Sequence, residues 1–272
     1  MLSRRAVLPV IVFSQFAGTS LWFAVNAVIT DIRPGPEGAN VATLTTVIQL
    51  GFIAGTFLFA LFGIADRFRA STVFLLSSII ASGSNLLVLW LANDTSSLCM
   101  LRFTTGFFLA GIYPVGMKIA ATQFPGKMGN ALGFLVGALV LGTAFPHLVR
   151  ASLGTISWRW VLAATSALAV SGGILMRVLV PGQKPLSHGV RFDPGALSTV
   201  FKSAAFRAAA GGYFGHMWEL YAFWAFVPAL IALYNRQSGA TLPVPAWSFV
   251  IIALGFLSCI AGGRISQVTG SR

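Results

Sequence analysis

The chain has 272 residues, of which 56% are hydrophobic and only 9% charged, against about 25% charged in an ordinary globular domain. A water-soluble body of this size has too little interior to hide that much apolar surface, so the composition excludes one and points to lipid. Six acids face eighteen Lys and Arg for a net charge of +12, yet the basic residues stand in ones and twos between apolar runs, which excludes a nucleic-acid-binding face.

A transmembrane helix needs about 20 mostly apolar residues, and eight stretches qualify: 8–29, 41–62, 73–92, 98–119, 130–150, 158–180, 208–233 and 247–263. The first follows Arg4-Arg5, but it stays apolar to Ile29, longer than the 7–15-residue core of a secretory signal, and is expected to be a retained span. Short polar breaks such as Arg33-Pro34-Gly35-Pro36-Glu37 and Asn93-Asp94-Thr95 separate the early spans. The connection at 181–207 is longer and carries Pro181, Gly182, Lys184, Pro185, Arg191 and Asp193-Pro194-Gly195, the composition of a hydrated linker. Small residues recur at helical spacing in Gly51-x-x-x-Gly55 and in Gly129, Gly133 and Gly137, where they allow close backbone approach. Cys99 and Cys259 lie far apart inside apolar segments and read as buried, inert thiols.

Counting Lys and Arg by side orients the chain. With the N-terminus in the cytoplasm, thirteen fall inside and five outside (Arg33, Arg102, Arg150, Arg159 and Arg236), a positive-inside bias that also places the linker in the cytoplasm. The expectation is therefore a multi-pass protein of the cell (inner) membrane with a cytoplasmic N-terminus.

Two turns repeat. Phe62-Gly63-Ile64-Ala65-Asp66-Arg67-Phe68-Arg69 follows the second span, and Gly263-Arg264-Ile265-Ser266-Gln267-Val268-Thr269-Gly270-Ser271-Arg272 follows the eighth. Both resemble the loop signature of the major facilitator superfamily (glycine, any, aliphatic, small, Asp, basic, any, glycine, basic). In the first copy Ile64, Ala65, Asp66 and Arg67 fit, while Phe62 and Arg69 stand at glycine positions; in the second Gly263 and Gly270 fit and Gln267 replaces the acid. Asp66 and Gln267 are 201 residues apart, about one six-span repeat. Arg102-Phe103-Thr104-Thr105-Gly106 in the fourth span is similar to that family's Arg-x-x-x-Gly pattern, and Trp158-Arg159-Trp160 opens the sixth.

The resemblance implies an all-α, polytopic membrane helix bundle: a complete N-terminal six-helix half over 1–180, a cytoplasmic linker over 181–207, and the first two helices of a second half over 208–272. Four further spans are expected beyond Arg272. It implies a secondary active transporter of a small solute working by alternating access, with protons as the candidate coupling ion. Two subgroups fit poorly. Drug antiporters carry a Gly-Pro pair in the fifth span where this chain has Gly137-Ala138, and nitrate porters carry an arginine in the second span, which has none here.

Candidate site residues are the polar and aromatic groups inside spans. Glu219 is the only acid near the middle of one, and His216 three residues earlier shares its helix face, an arrangement suited to proton coupling or to a cationic group, or to a self-satisfied polar pair. Arg102 by resemblance serves proton relay or an anionic substrate, or snorkels to the outer interface. Gln15, Trp22 and Asn26 in the first span, Gln49, Asn85 and Tyr113 either line the cavity or join helices. Lys118 and Arg159 read as interfacial anchors. Asp66, Arg67, Gly263 and Gly270 form the expected conformational-latch loops, Asp66 capping the third span or pairing with Arg67 or a neighbouring helix.

Other classes lack their chemistry. No Gly-x-x-x-x-Gly-Lys-Ser/Thr supplies a nucleotide site, no span core holds an aspartate, and His147, His188 and His216 lack metal-ligand spacing. The reading is thus not an enzyme, with no cofactor and no metal, and with a small solute and the bilayer as partners. The alternative is a non-transporting membrane scaffold or a receptor-like transporter homologue.

Overall fold

The computed structural model describes residues 4–33, 41–92, 94–154, 156–181 and 194–269. Those residues are helical with short turns, as lipid demands, because a helix satisfies its own backbone polar groups where no water can. In chain order the helices are α1 (Arg4–Thr19), α2 (Ile29–Ile32), α3 (Val41–Leu61), α4 (Ile64–Arg67), α5 (Ala70–Leu91), α6 (Thr95–Leu109), α7 (Tyr113–Gln123), α8 (Met128–Leu153), α9 (Arg159–Leu179), α10 (Pro194–Lys202), α11 (Ala204–Ser238) and α12 (Val244–Thr269). Among the described residues, seven spans are long and apolar enough to cross a membrane, α6 and α7 together making one from Thr95 to Gln123.

The first segment departs from the expected single helix. It is helical to Thr19, turns through 20–25, and resumes as one 3-10 turn at Asn26–Val28 and α2. Hydroxyls at the break compete for backbone carbonyls: Thr19 Oγ1 donates to Gln15 O at 2.8 Å, and Ser20 Oγ donates to Ala17 O at 2.7 Å. The fourth segment also breaks, over 110–112, where Pro114 has no N–H to return to the Ala110 carbonyl.

Ends and turns follow local chemistry. Asp94 caps α6, accepting from Ser97 N at 2.9 Å and Ser97 Oγ at 2.7 Å, and these bonds hold its carboxyl below the ordinary carboxylate range. Gly63 (φ 58°) and Gly239 (φ 71°) occupy the left-handed conformation that ends α3 and α11. The long linker proves partly helical, since α10 lies inside it; residues 182–193 fall outside the described set, as do Pro34–Glu37, Asn93 and Gly270.

α1 packs against α8 and α9 with α7 alongside, α3 runs along α6, and α5 lies between α6 and α9. α12 lies along α8, and α11 touches α12 and α3. Close approach is built on the expected glycines: a Cβ on Gly51, Gly55 or Gly106 would strike the backbone of the facing helix, at Phe103, Phe107 and Ile48 respectively. At Gly133 a Cβ would lie 2.9 Å from Cys259 O and 2.9 Å from Gly263 Cα. Large apolar side chains such as Phe57, Trp90, Met100, Trp218 and Val268 point outward, the arrangement a lipid-facing surface requires. Cys99 and Cys259 are free thiols but only half-buried, so the expected full burial does not hold.

Candidate functional site

Arg102 is the most unusual side chain inside the bundle. It is fully buried, so of the two readings of Arg102 the one in which it snorkels to an interface does not hold. The break in the first segment explains how lipid depth tolerates the charge: carbonyls that a continuous helix would use itself are aimed at the guanidinium instead. Nη2 donates to Trp22 O at 2.5 Å and to Asn26 Oδ1 at 3.1 Å, and Nη1 donates to Leu21 O at 3.4 Å. Asn26 Nδ2 then donates to Thr45 Oγ1 at 2.9 Å, which donates on to Val41 O at 2.7 Å. One network thus ties α6 to the broken first segment and to α3. No acid pairs with Arg102 among the described residues.

The same break carries Trp22 and Phe23 inward, where both are buried. Trp22 stacks on Tyr221 (ring centroids 5.4 Å apart, planes at 26°), tilts over Phe52 at 4.8 Å and meets Tyr113 at 6.5 Å. Phe23 lies nearly parallel to Tyr221 at 6.4 Å, and Trp224 meets both rings edge-on. The Tyr221 hydroxyl sits beside Gln49. Rings from the first, second, fourth and seventh segments therefore converge in one place, with the seventh segment's pair closing the group.

Some buried polar atoms in this part of the bundle have no partner among the described contacts. Gln15 is fully buried, and neither its Nε2 nor its Oε1 makes a hydrogen bond; its Oε1 abuts Gly116, one turn from Tyr113. Trp22 Nε1 is likewise buried and unpartnered. Burying such groups unpaired costs about 1–3 kcal/mol each.

Trp22, Tyr113 and, through Tyr221, Gln49 are thus brought together, with Asn26 and Arg102 behind the Trp22 carbonyl, whereas Gln15 meets α7 at Gly116. Asn85 is not part of this group. Its Nδ2 donates to Ser166 Oγ at 3.0 Å and Leu162 O at 3.3 Å, joining α5 to α9 beside the reciprocal Ser82–Ser166 bonds. His216 and Glu219 also stand apart: both are exposed, and the hydrogen bond expected between them is absent among the described contacts. The reason is angular, since Glu219 is two residues from Tyr221 and so about 200° around α11, on the face turned away from the rings.

Of the latch residues, Asp66 pairs with Lys118 on α7, whose Nζ also donates to Ala65 O at 2.7 Å. Lys118 is therefore a partner rather than only an anchor, and Arg67 is exposed on α4. Gly263 is not in a loop: α12 continues to Thr269, and Gly263 packs on Gly129 and Gly133. At the opposite end Arg150 grips Asp31 through two 3.0 Å bonds, an ion pair the spans alone did not announce. Tyr221 and Trp224 were also missed as site residues; the signal was their i, i+3 spacing on the α11 face opposite Glu219.

The chain matches the sequence family described as the Major Facilitator Superfamily over residues 7–272. It is also similar to an uncharacterized transporter, YebQ, of Escherichia coli K12, with 24% identity over 233 residues covering 82% of this chain and 48% of that protein. The chain thus spans about half the length of the curated relative it matches.

Proposed function

The chain belongs to the major facilitator superfamily, and from that premise we propose that it is a secondary active transporter moving a small solute by alternating access. The supporting observation is the ring cluster itself. Trp22 and Phe23 belong to the six-span unit proposed over 1–180, while Tyr221 and Trp224 belong to the unit beginning after the linker, so rocking one unit against the other opens and closes the contact between them. Gln15, Trp22 and Gln49 supply solute contacts, with Tyr113 as wall; Arg102 and Asn26 hold the first segment open.

We place the protein in the cell (inner) membrane with its N-terminus in the cytoplasm, on the thirteen-to-five distribution of Lys and Arg. The turn holding Asp66 then lies on the cytoplasmic side. The Asp66–Lys118 pair is about one-third exposed on each side chain, and such pairs contribute about 0–1 kcal/mol, weak enough to open in every cycle. Proton coupling, on this reading, belongs to the exposed His216–Glu219 face of α11.

The test is a distance measurement. Spin labels at Ala42→Cys on α3 and Gln237→Cys on α11, in a background with Cys99→Ser and Cys259→Ser, report the two units at the end opposite Asp66. Alternating access gives two distance populations, and Asp66→Asn redistributes them without unfolding the protein. One population under all conditions means a scaffold instead.

A further inference from the structure

We propose that the N-terminal end of α5 holds a phosphate monoester, the headgroup of an anionic lipid or free phosphate, in the cleft it shares with α7 and the end of α9. None of the residues concerned belongs to the ring cluster, and binding here needs no transport cycle.

The cleft is shallow and is lined by Ala70, Ser71, Ile119, Val180 and Pro181. Ala70, Ile119 and Val180 are buried apolar walls, so the polar side chain of the lining is Ser71. That serine is 4% exposed, and its Oγ makes no hydrogen bond. A serine in a helix ordinarily spends its hydroxyl on a nearby backbone group; this one is left facing the cleft. An orphaned buried hydroxyl costs stability, and a ligand oxygen placed against it recovers that cost.

The end of the helix has the same need. Arg69 occupies the N-cap position without a side-chain cap bond, and the first turn carries no acid. The leading N–H groups of a helix have no acceptor inside it and carry a partial positive charge, so an anion is the group that satisfies them. Ser71, at the second helical position, adds its O–H donor beside those N–H groups.

Charge around the turn is one-sided. Arg69 Nε is buried without a partner, and Arg177, one turn before Val180 on α9, donates from Nε to Thr72 Oγ1 at 3.2 Å. Among the described residues no carboxylate pairs with either arginine, and Asp66 on the preceding turn is held by Lys118. Helix N–H groups, a hydroxyl and a guanidinium are three kinds of donor at one place. A phosphate monoester offers three strong acceptor oxygens, where a carboxylate has two. Entry leaves the helices in place: Pro181 is tied to α7 by an exposed bond, Gln123 Nε2 donating to Pro181 O at 3.3 Å, and breaking it lets the chain after α9 swing aside.

The experiment is calorimetric binding to the purified full chain in a neutral maltoside detergent, stripped of co-purified lipid and held in Tris chloride. The probes are inorganic phosphate, dihexanoyl phosphatidic acid and dihexanoyl phosphatidylcholine, whose phosphate is a diester masked by choline. Phosphatidic acid is expected to bind at least tenfold more tightly than phosphatidylcholine. If inorganic phosphate binds as well, the phosphate group alone is the ligand; if it does not, the ligand is a lipid headgroup. Ser71→Ala is expected to weaken binding at least fivefold while the ligand-free melting temperature holds or rises, because alanine leaves no orphaned hydroxyl. Arg69→Gln is expected to weaken it at least tenfold. Binding of neither anion, phosphatidylcholine as tight as phosphatidic acid, or unchanged affinity in either variant overturns the assignment. So does a lower ligand-free melting temperature in Ser71→Ala, which would give that hydroxyl to the fold instead.

Discussion

A buried guanidinium needs partners for its donors, and Arg102 finds them for Nη1 and Nη2 on the backbone of a helix that has come apart and on Asn26, while Nε has none. Charge and break support each other. Remove the side chain, and Trp22 O loses its donor in a dry setting at about 1–3 kcal/mol, while Leu21 O keeps its bond from Ala24 N. Arg102→Met is therefore expected to lower the detergent melting temperature by several degrees and to weaken the Trp22–Tyr221 contact, seen as a shift in tryptophan emission. Arg102→Lys, which keeps the charge but not the fork, is expected to recover only part of the loss. A melting temperature unchanged in Arg102→Met would mean the break forms without it. The charge was plain from Arg102 in the sequence; its depth was not, because an arginine about one turn into a span has the reach to snorkel outward.

At the scale of helices, glycine spacing foretold close contact, and the contacts formed where backbone meets backbone. Gly106 faces the Ile48 carbonyl with no room for a Cβ, whereas Gly83, on α5, has open space around that position. Gly106→Ala is expected to destabilise by about 1–3 kcal/mol as α3 and α6 are pushed apart. Gly83→Ala is expected to be neutral or to stabilise by up to about 1 kcal/mol, since Ala is the better helix former and meets nothing. Thermal unfolding of both variants side by side checks this; equal effects would mean that the α3–α6 approach is not limited by that glycine. The same principle moved Gly263 from an expected loop into a helix. Its match to a loop signature was real as sequence, yet a glycine opposite Gly133 serves helix packing equally well.

For the molecule as a whole, two seams join the first six segments to the last two: α8 with α12 through small residues, and the first and second segments with α11 through aromatic rings. α11 turns Tyr221 and Trp224 to one seam and Glu219 away from it. Solute contact and proton uptake, on the function proposed here, are therefore spatially separate. Glu219→Gln is expected to remove the pH dependence of solute uptake into proteoliposomes while leaving solute affinity within about twofold. A pH profile identical to that of the unaltered protein would take Glu219 out of the coupling.

Composition and period settled that this chain lives in lipid as a bundle of helices, because 9% charge over apolar runs of span length leaves no soluble alternative. The turn at Asp66 and the span count identified the family, since both are local and survive as strings of residues. What only the tertiary structure decided was which polar groups look at one another: Lys118 across to Asp66, Arg150 to Asp31, Asn85 into a helix seam, Glu219 away from the rings. An α-helix fixes the angle between neighbours along its own length, but nothing in its sequence fixes how it is rotated against the next, and that rotation is set by the packing of all of them together.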